Sequence, residues 1–204
     1  MAWGAFNLSN ETGLPYPHKL NCDRDITVRS MSAADSPAVL AFARSLPAHD
    51  LLFLPRDITQ SKVIDAWMHE NESGAMTSLI ALDGGKVVGC GTIASDPLSW
   101  SSHVAELRVV IAPQARGHGI GRALTQEVFS LALSQSKQKL VAQMTADQHG
   151  AIAVFEGIGF RPEALLRAHV QGPDGQKKDI VILAHDVAEV QARLTALGMP
   201  EATR

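Results

Sequence analysis

Apolar residues recur along this chain with two periods, and the switches between those periods outline its elements. Residues 25–30 alternate as I-T-V-R, the period of a half-buried strand. Ser32 or Asp35 is placed to cap a helix running to about Leu46, with Pro37 near its start. After the loop L-P-A-H-D-L-L-F-L-P, Asp57 or Thr59 is placed to cap a second helix, whose Val63, Ile64, Trp67 and Met68 form one stripe. Residues 77–82 and 86–94 read as strands joined by Asp83-Gly84-Gly85, a hairpin signal. A strand over 104–111 follows, then Ile120, Leu124, Val128 and Leu131 at helical spacing, then a fifth strand over 139–145. Ala151, Val154, Phe155 and Ile158 stand at i, i+3, i+4 and i+7, which predicts one buried helical stripe ended by Gly159 at C′. Residues 165–170 and 180–184 form a hairpin around Gly172-Pro173-Asp174-Gly175, and a short helix over about 186–197 closes the chain.

This order predicts an α/β fold, with a central twisted mixed sheet and helices on both faces. Residues 1–24, without period around Tyr16, read as an N-terminal extension, draped on the domain or partly disordered. Residues 25–185 form the domain, and 186–204 a C-terminal helix and tail. At 204 residues and 46% hydrophobic content, the chain suffices for one well-packed domain. Net charge is −3 with basic residues scattered, so no nucleic-acid partner is expected. Cys22 and Cys90 are the only cysteines, which suits free thiols in a cytoplasmic protein. The first residues lack a basic n-region and an apolar h-region, and no apolar run approaches the ~20 residues of a membrane span. The histidines, His49 among them, show no H-x-x-x-H or cysteine-linked spacing, so no metal is expected.

The chemistry concentrates in residues 107–124, L-R-V-V-I-A-P-Q-A-R-G-H-G-I-G-R-A-L, where a strand ends, a glycine-spaced turn follows and a helix begins. Gly117, Gly119 and Gly121 remove side chains that would keep a ligand from the backbone. Amides at a helix start, with the positive end of its dipole, favour phosphate, and Arg116 and Arg122 bracket the turn. A dinucleotide fingerprint is excluded because Arg122 stands where its third glycine belongs. A nucleoside-triphosphate loop is excluded because its lysine and hydroxyl are missing.

What remains, Gln114-Ala115-Arg116-Gly117-His118-Gly119 after V-x-I-x-P, resembles the acyl-CoA pyrophosphate loop of the GNAT N-acetyltransferase superfamily. A second stretch, Q-H-G-A-I-A-V-F-E-G-I-G-F over 148–160, resembles that family's N-x-x-A-x-x-L-Y-E-K-L-G-F helix. The resemblance covers about residues 25–185 and implies the GNAT fold, in which the fourth and fifth strands splay apart, helped by a bulge, around the pantetheine arm. It implies acetyl-CoA as co-substrate and direct attack by a primary amine of a small molecule or protein. The backbone of Val109 and Ile111 would then bind pantetheine, and Gln114 and residues 116–122, Ile120 included, would hold pyrophosphate. Gln148 would take the place of the family's asparagine, and Phe155 would pack on the pantetheine where many members have a thiolate-protonating tyrosine. Gln143 stands where some relatives carry a glutamate base, which leaves Glu106 as the base, with His103 behind it. A structural ion pair of Glu106 with Arg108 and a solvated His103 are the alternatives. In the family the loop between the first two helices lines the acceptor pocket, so L-L-F-L-P points to an apolar or small acceptor. The absence of both tyrosine and glutamate keeps a second class open, an acyl-CoA-binding sensor or structural module. A homodimer is also left open.

Overall fold

Gly84 and Gly85 both take positive φ, +53° and +82°, as a two-residue turn between twisted strands requires. The turn joins β3 (Met76–Asp83) to β4 (Lys86–Ala94) in a computed structural model that describes residues 17–188. The other strands are β1 (His18–Lys19), β2 (Ile26–Ser30), β5 (Val104–Ile111), β6 (Lys139–Thr145), β7 (Arg161–Gln171) and β8 (Lys177–Asp186). They form one sheet in the order β1-β2-β3-β4-β5-β6-β8-β7, antiparallel throughout except for the parallel pair β5–β6. The helices are α1 (Ser36–Arg44), α2 (Ser61–Glu72), α3 (Ile120–Ser134) and α4 (His149–Gly157).

The glycines of β4 set how closely α3 approaches the sheet. A Cβ on Gly91 would lie 2.6 Å from Cγ1 of Val128, and one on Gly89 would lie 3.4 Å from Cδ2 of Leu124. With no side chains there, Ile120, Leu124 and Val128 of α3 pack down onto the sheet and are fully buried. The opposite face is covered by α1 and α2 through Val39, Phe42, Ile64, Trp67 and Met68. Buried Trp67 donates its indole N–H to Ser78 Oγ at 2.9 Å, so the apolar contact carries no orphaned donor.

Several elements differ from the sequence expectation. Residues 17–24 are part of the fold: His18 and Lys19 pair with Val28 and Thr27, and the Asp23 N–H donates to the His118 carbonyl. Asp35 stands at the N-cap of α1, as expected, but makes no side-chain capping bond there; it ends a short 3₁₀ turn, Ala33–Asp35, and its carboxylate accepts from the N–H and hydroxyl of Ser32. Asp57 caps the turn before α2, accepting from the Thr59 N–H, while Gln60 occupies the N-cap itself. The last hairpin is longer than expected on both strands. The closing helix expected over 186–197 lies almost wholly outside the described residues, and Asp186 belongs to β8. In α4, Phe155 is buried, but Ala151 is exposed and Val154 only half-buried.

Candidate active site

β5 and β6 share three rungs, Val104↔Lys139, Ala105↔Leu140 and Glu106↔Val141, and then part. β5 continues against β4 as far as Ile111↔Gly89, and β6 against β8 as far as Thr145↔Ile180. The inner edges of the two strands therefore face each other with no ladder between them. The expected bulge is not the cause, because the β4–β5 register runs unbroken from Ala94↔Glu106 to Gly89↔Ile111. Each strand instead follows its outer partner. The gap opens into a cleft of about 620 Å³.

Antiparallel pairing decides which backbone groups point into that cleft. The Ala112 N–H donates to the Val88 carbonyl at 2.9 Å, so residues 112, 110 and 108 turn their N–H and C=O groups toward β4. Residues 107, 109 and 111 turn theirs toward the gap. The expected pantetheine-binding groups, those of Val109 and Ile111, thus line an unpaired strand edge. The Ile111 carbonyl is taken by the Arg116 guanidinium, from Nη2 at 3.0 Å and Nε at 3.3 Å.

At the wide end of the cleft stands the glycine turn. Gly117 and Gly119 take φ of +79° and +77°, which accounts for glycine at both positions. A Cβ on Gly121 would sit 3.5 Å from Ile111, an ordinary contact, so its glycine is not required by strain. Gly119 is the N-cap of α3 and offers no side-chain cap, and the first intrahelical bond is Ala123 N–H to the Gly119 carbonyl. The amides of Ile120, Gly121 and Arg122 are left without helical partners beside the cleft, as an anion-binding helix start requires. Arg116, Gly117, Gly119, Gly121 and Arg122 line the cleft. Gln114 and His118 are exposed outside it, and the Ile120 side chain is buried in the core. Ile120 therefore contributes its backbone alone.

The far wall is the start of α4. Gln148 is its N-cap residue, and its side-chain oxygen accepts the Thr145 N–H at 3.2 Å. Ala151 and Val154, expected in the core, line the cleft with Phe155. The apolar stripe of α4 is thus divided between the core and the cleft. Phe155 is 5% exposed and its ring meets Phe160 edge to face, which fits packing and offers no proton donor.

The two expected catalytic residues lie elsewhere. Glu106 accepts a hydrogen bond from Arg108 Nη2 at 2.7 Å, the pair is largely buried, and neither side chain lines the cleft. His103 is exposed at the closed end of the β5–β6 pair, its carbonyl accepting the N–H of Gln138. The separation is geometric: even-numbered β5 side chains face α2, while the cleft opens along the strand edge.

Charge reaches the cleft from residues the sequence did not single out. His49 and Asp50, in a 3₁₀ turn between α1 and α2, line it together with Asp147 from the β6–α4 turn. His49 Nε2 lies 3.0 Å from Asp147 Oδ1, and Asp50 Oδ2 accepts from Arg116 Nη2 at 2.5 Å. Lys178 of β8 donates to the other Asp147 oxygen at 3.1 Å. The Thr145 hydroxyl first, then Lys178 and His49, hold the Asp147 carboxyl well below the usual carboxylate range. No local pattern announces this cluster, since His49 and Asp147 are 98 residues apart. Of the L-L-F-L-P loop, Phe53 lines the cleft. Among the described residues no group of three or more His, Cys, Asp or Glu side chains is placed to hold a metal, and no helix is long and apolar enough to cross a membrane.

The mixed sheet thus splays beside an uncapped, glycine-led helix start, and the cleft between them combines an unpaired strand edge with an anion-suited turn. The model of the Acetyltransferase (GNAT) family matches residues 42–160, and the chain belongs to that family, whose members use acetyl-CoA. Mouse N-acetyltransferase 8F1 is 34% identical over 84 residues, 40% of this chain, and the match spans only 38% of that relative's length. N-alpha-acetyltransferase 30 of Schizosaccharomyces pombe is 28% identical over 101 residues, covering 48% of this chain and 66% of the relative. The ribosomal-protein-alanine N-acetyltransferase of Brucella melitensis superposes with a TM-score of 0.67 at 26% identity, over 78% of this chain and 98% of the other. Salmonella typhimurium yncA, solved with its cofactor acetyl-CoA, shares the fold with a TM-score of 0.68 at 18% identity, over 79% and 94%.

Proposed function

We propose that this chain transfers an acetyl group from acetyl-CoA to a primary amine by direct attack in the β5–β6 cleft. The observation that carries the proposal is the unladdered β5 edge, which offers the Val109 backbone groups and the Ile111 N–H beside an uncapped α3 start. Pantetheine would pair with that edge as a strand does, with Gln148 and Phe155 on its other side. The amides of 117–122 and the Arg122 side chain would hold pyrophosphate, and Arg116 would join them by leaving Asp50. The Val109 N–H would donate to the oxyanion that forms at the thioester carbonyl. Direct attack asks little more of the protein than this alignment.

Asp50 and Asp147 give the cleft an acidic rim suited to an ammonium-bearing acceptor. Names among the related proteins refer to ribosomal-protein alanine and to N-alpha acetylation, which puts peptide α-amines first among the acceptors to try. Two free cysteines, Cys22 and buried Cys90, suit a cytoplasmic setting. The test is a titration with acetyl-CoA, followed by release of free CoA in the presence of a pool of alanine-terminated peptides, amino acids and polyamines, with mass-spectrometric identification of the product. Binding with amine-dependent release is expected. Binding without release across the pool would favour the acyl-CoA sensor, and no binding would end both readings.

A further inference from the structure

We propose that His49, oriented by Asp147, is the base that takes the proton from the acceptor's ammonium group; this rests on the acetyl-transfer reading above. Its position carries the proposal. His49 shares one cleft with the gap-facing edge of Val109 and with Gln143, whereas Glu106 is tied to Arg108 outside it. A base must come within hydrogen-bond reach of the amine, and His49 is the cleft-lining side chain whose hydrogen-bonding fits that task. His149 also lines the cleft, but no partner among the described residues orients its ring.

The ring of His49 is held through Nε2. Nε2 lies 3.0 Å and 3.1 Å from the two Asp147 oxygens, so the hydrogen of the neutral ring belongs on Nε2 and the lone pair on Nδ1. Nδ1 stands 3.7 Å from Asp50 Oδ1, too far for a hydrogen bond in the neutral ring. Once Nδ1 takes a proton, both ring N–H groups face a carboxylate. The charged groups around the ring are Asp50 on its own turn, Asp147 from β6–α4, Arg116 on Asp50 and Lys178 on Asp147. Arg122 lines the same cleft. Each carboxylate is matched by a cation, and Asp50 is freed when Arg116 turns to the pyrophosphate, so proton uptake by His49 meets no excess positive charge in the cluster itself.

In the step proposed, an ammonium proton passes to His49 Nδ1 and the freed lone pair attacks the thioester carbonyl carbon. The C–N bond forms, the C–S bond breaks with its electron pair leaving on sulfur, and the amide nitrogen loses a second proton. One of the two protons ends on the CoA thiolate and the other in solvent. His49 supplies the thiolate proton that Phe155 cannot.

The test compares wild type, His49→Gln and Asp147→Asn by acetyl-CoA titration and by kcat/KM from pH 5.5 to 9.5 with the same amine pool. His49→Gln should keep acetyl-CoA affinity, lose about a hundredfold in kcat/KM and lose the acid limb of the pH profile. Asp147→Asn should keep that limb but move it to lower pH, because loss of the carboxylate makes the imidazolium easier to deprotonate. A merely structural role would lower activity with the limb unmoved. Near-normal turnover of His49→Gln, or an unmoved limb in both variants, would overturn the proposal while leaving the acetyl-transfer reading intact. Wild-type protein that releases no CoA with any amine would overturn the two together.

Discussion

The backbone N–H of Phe160 donates to the carbonyl of Phe155 at 3.1 Å, and their rings meet edge to face with centroids 5.1 Å apart. With the Gly159 N–H on the Glu156 carbonyl at 3.0 Å, these bonds end α4 in a Schellman motif whose apolar contact joins cleft to core. Gly159 has φ of +102°, and a Cβ there would lie 3.0 Å from Nδ1 of His185. Gly159→Ala should therefore lose about 1–3 kcal/mol in urea unfolding. An unchanged midpoint would mean that the helix end relaxes without cost.

The glycines of the phosphate loop should not be equivalent. Gly119→Val forces a branched side chain to a φ of +77° and toward Cys22, 3.5 Å away. It should weaken acetyl-CoA binding about tenfold or more, by displacing the amides rather than by filling the cleft. Gly121→Ala makes only an ordinary contact within a helix and should leave stability equal or higher by up to about 1 kcal/mol. Calorimetric titration and thermal unfolding of the two variants check this, and equal affinities would remove the turn from the binding site.

Glu106→Gln should act on stability and not on proton transfer. It leaves Arg108 largely buried beside a neutral partner, with its Nε already unbonded among the described residues. A loss of about 1–3 kcal/mol is expected, with the acid limb of the pH profile unmoved. A limb that vanishes in Glu106→Gln would return the base to β5.

Arg29 grips Asp35 by two hydrogen bonds, 2.8 and 2.6 Å, which with those from Ser32 hold the Asp35 carboxyl down at about 2. Because this pKa is depressed on folding, the stability it contributes is complete above the unfolded value near ~3.9. It is lost as pH falls through the folded value. Between about pH 4 and 2 the wild type should therefore lose stability faster than Asp35→Asn. Parallel slopes in acid unfolding of the two proteins would show that the pair contributes nothing.

What was legible in the chain was whatever local period or turn chemistry decides. Residues 104–111 and 139–145 are strands with the expected bounds, and the glycine turn sits where its spacing placed it. Pairing and facing were not legible. An apolar stripe shows that Ala151, Val154 and Phe155 share a side of α4 but not that part of this side borders a groove. Alternation puts Glu106 and Arg108 on one face without telling which face carries the chemistry. The His49–Asp147 contact exists only because the sheet brings the α1–α2 turn over the end of β6. Two-residue β1 is too short to show a period.

The central claim is that acetyl-CoA adds to the free edge of β5, and amide hydrogen exchange tests it residue by residue. In free protein the Val109 and Ile111 amides face the gap, while those of Arg108 and Val110 are bonded to β4. Acetyl-CoA should slow exchange at Val109, and at Ile111 in the same direction, while Arg108 and Val110 stay slow with or without it. Unchanged exchange at Val109 under saturating acetyl-CoA, or equal slowing at odd and even positions alike, would contradict edge binding.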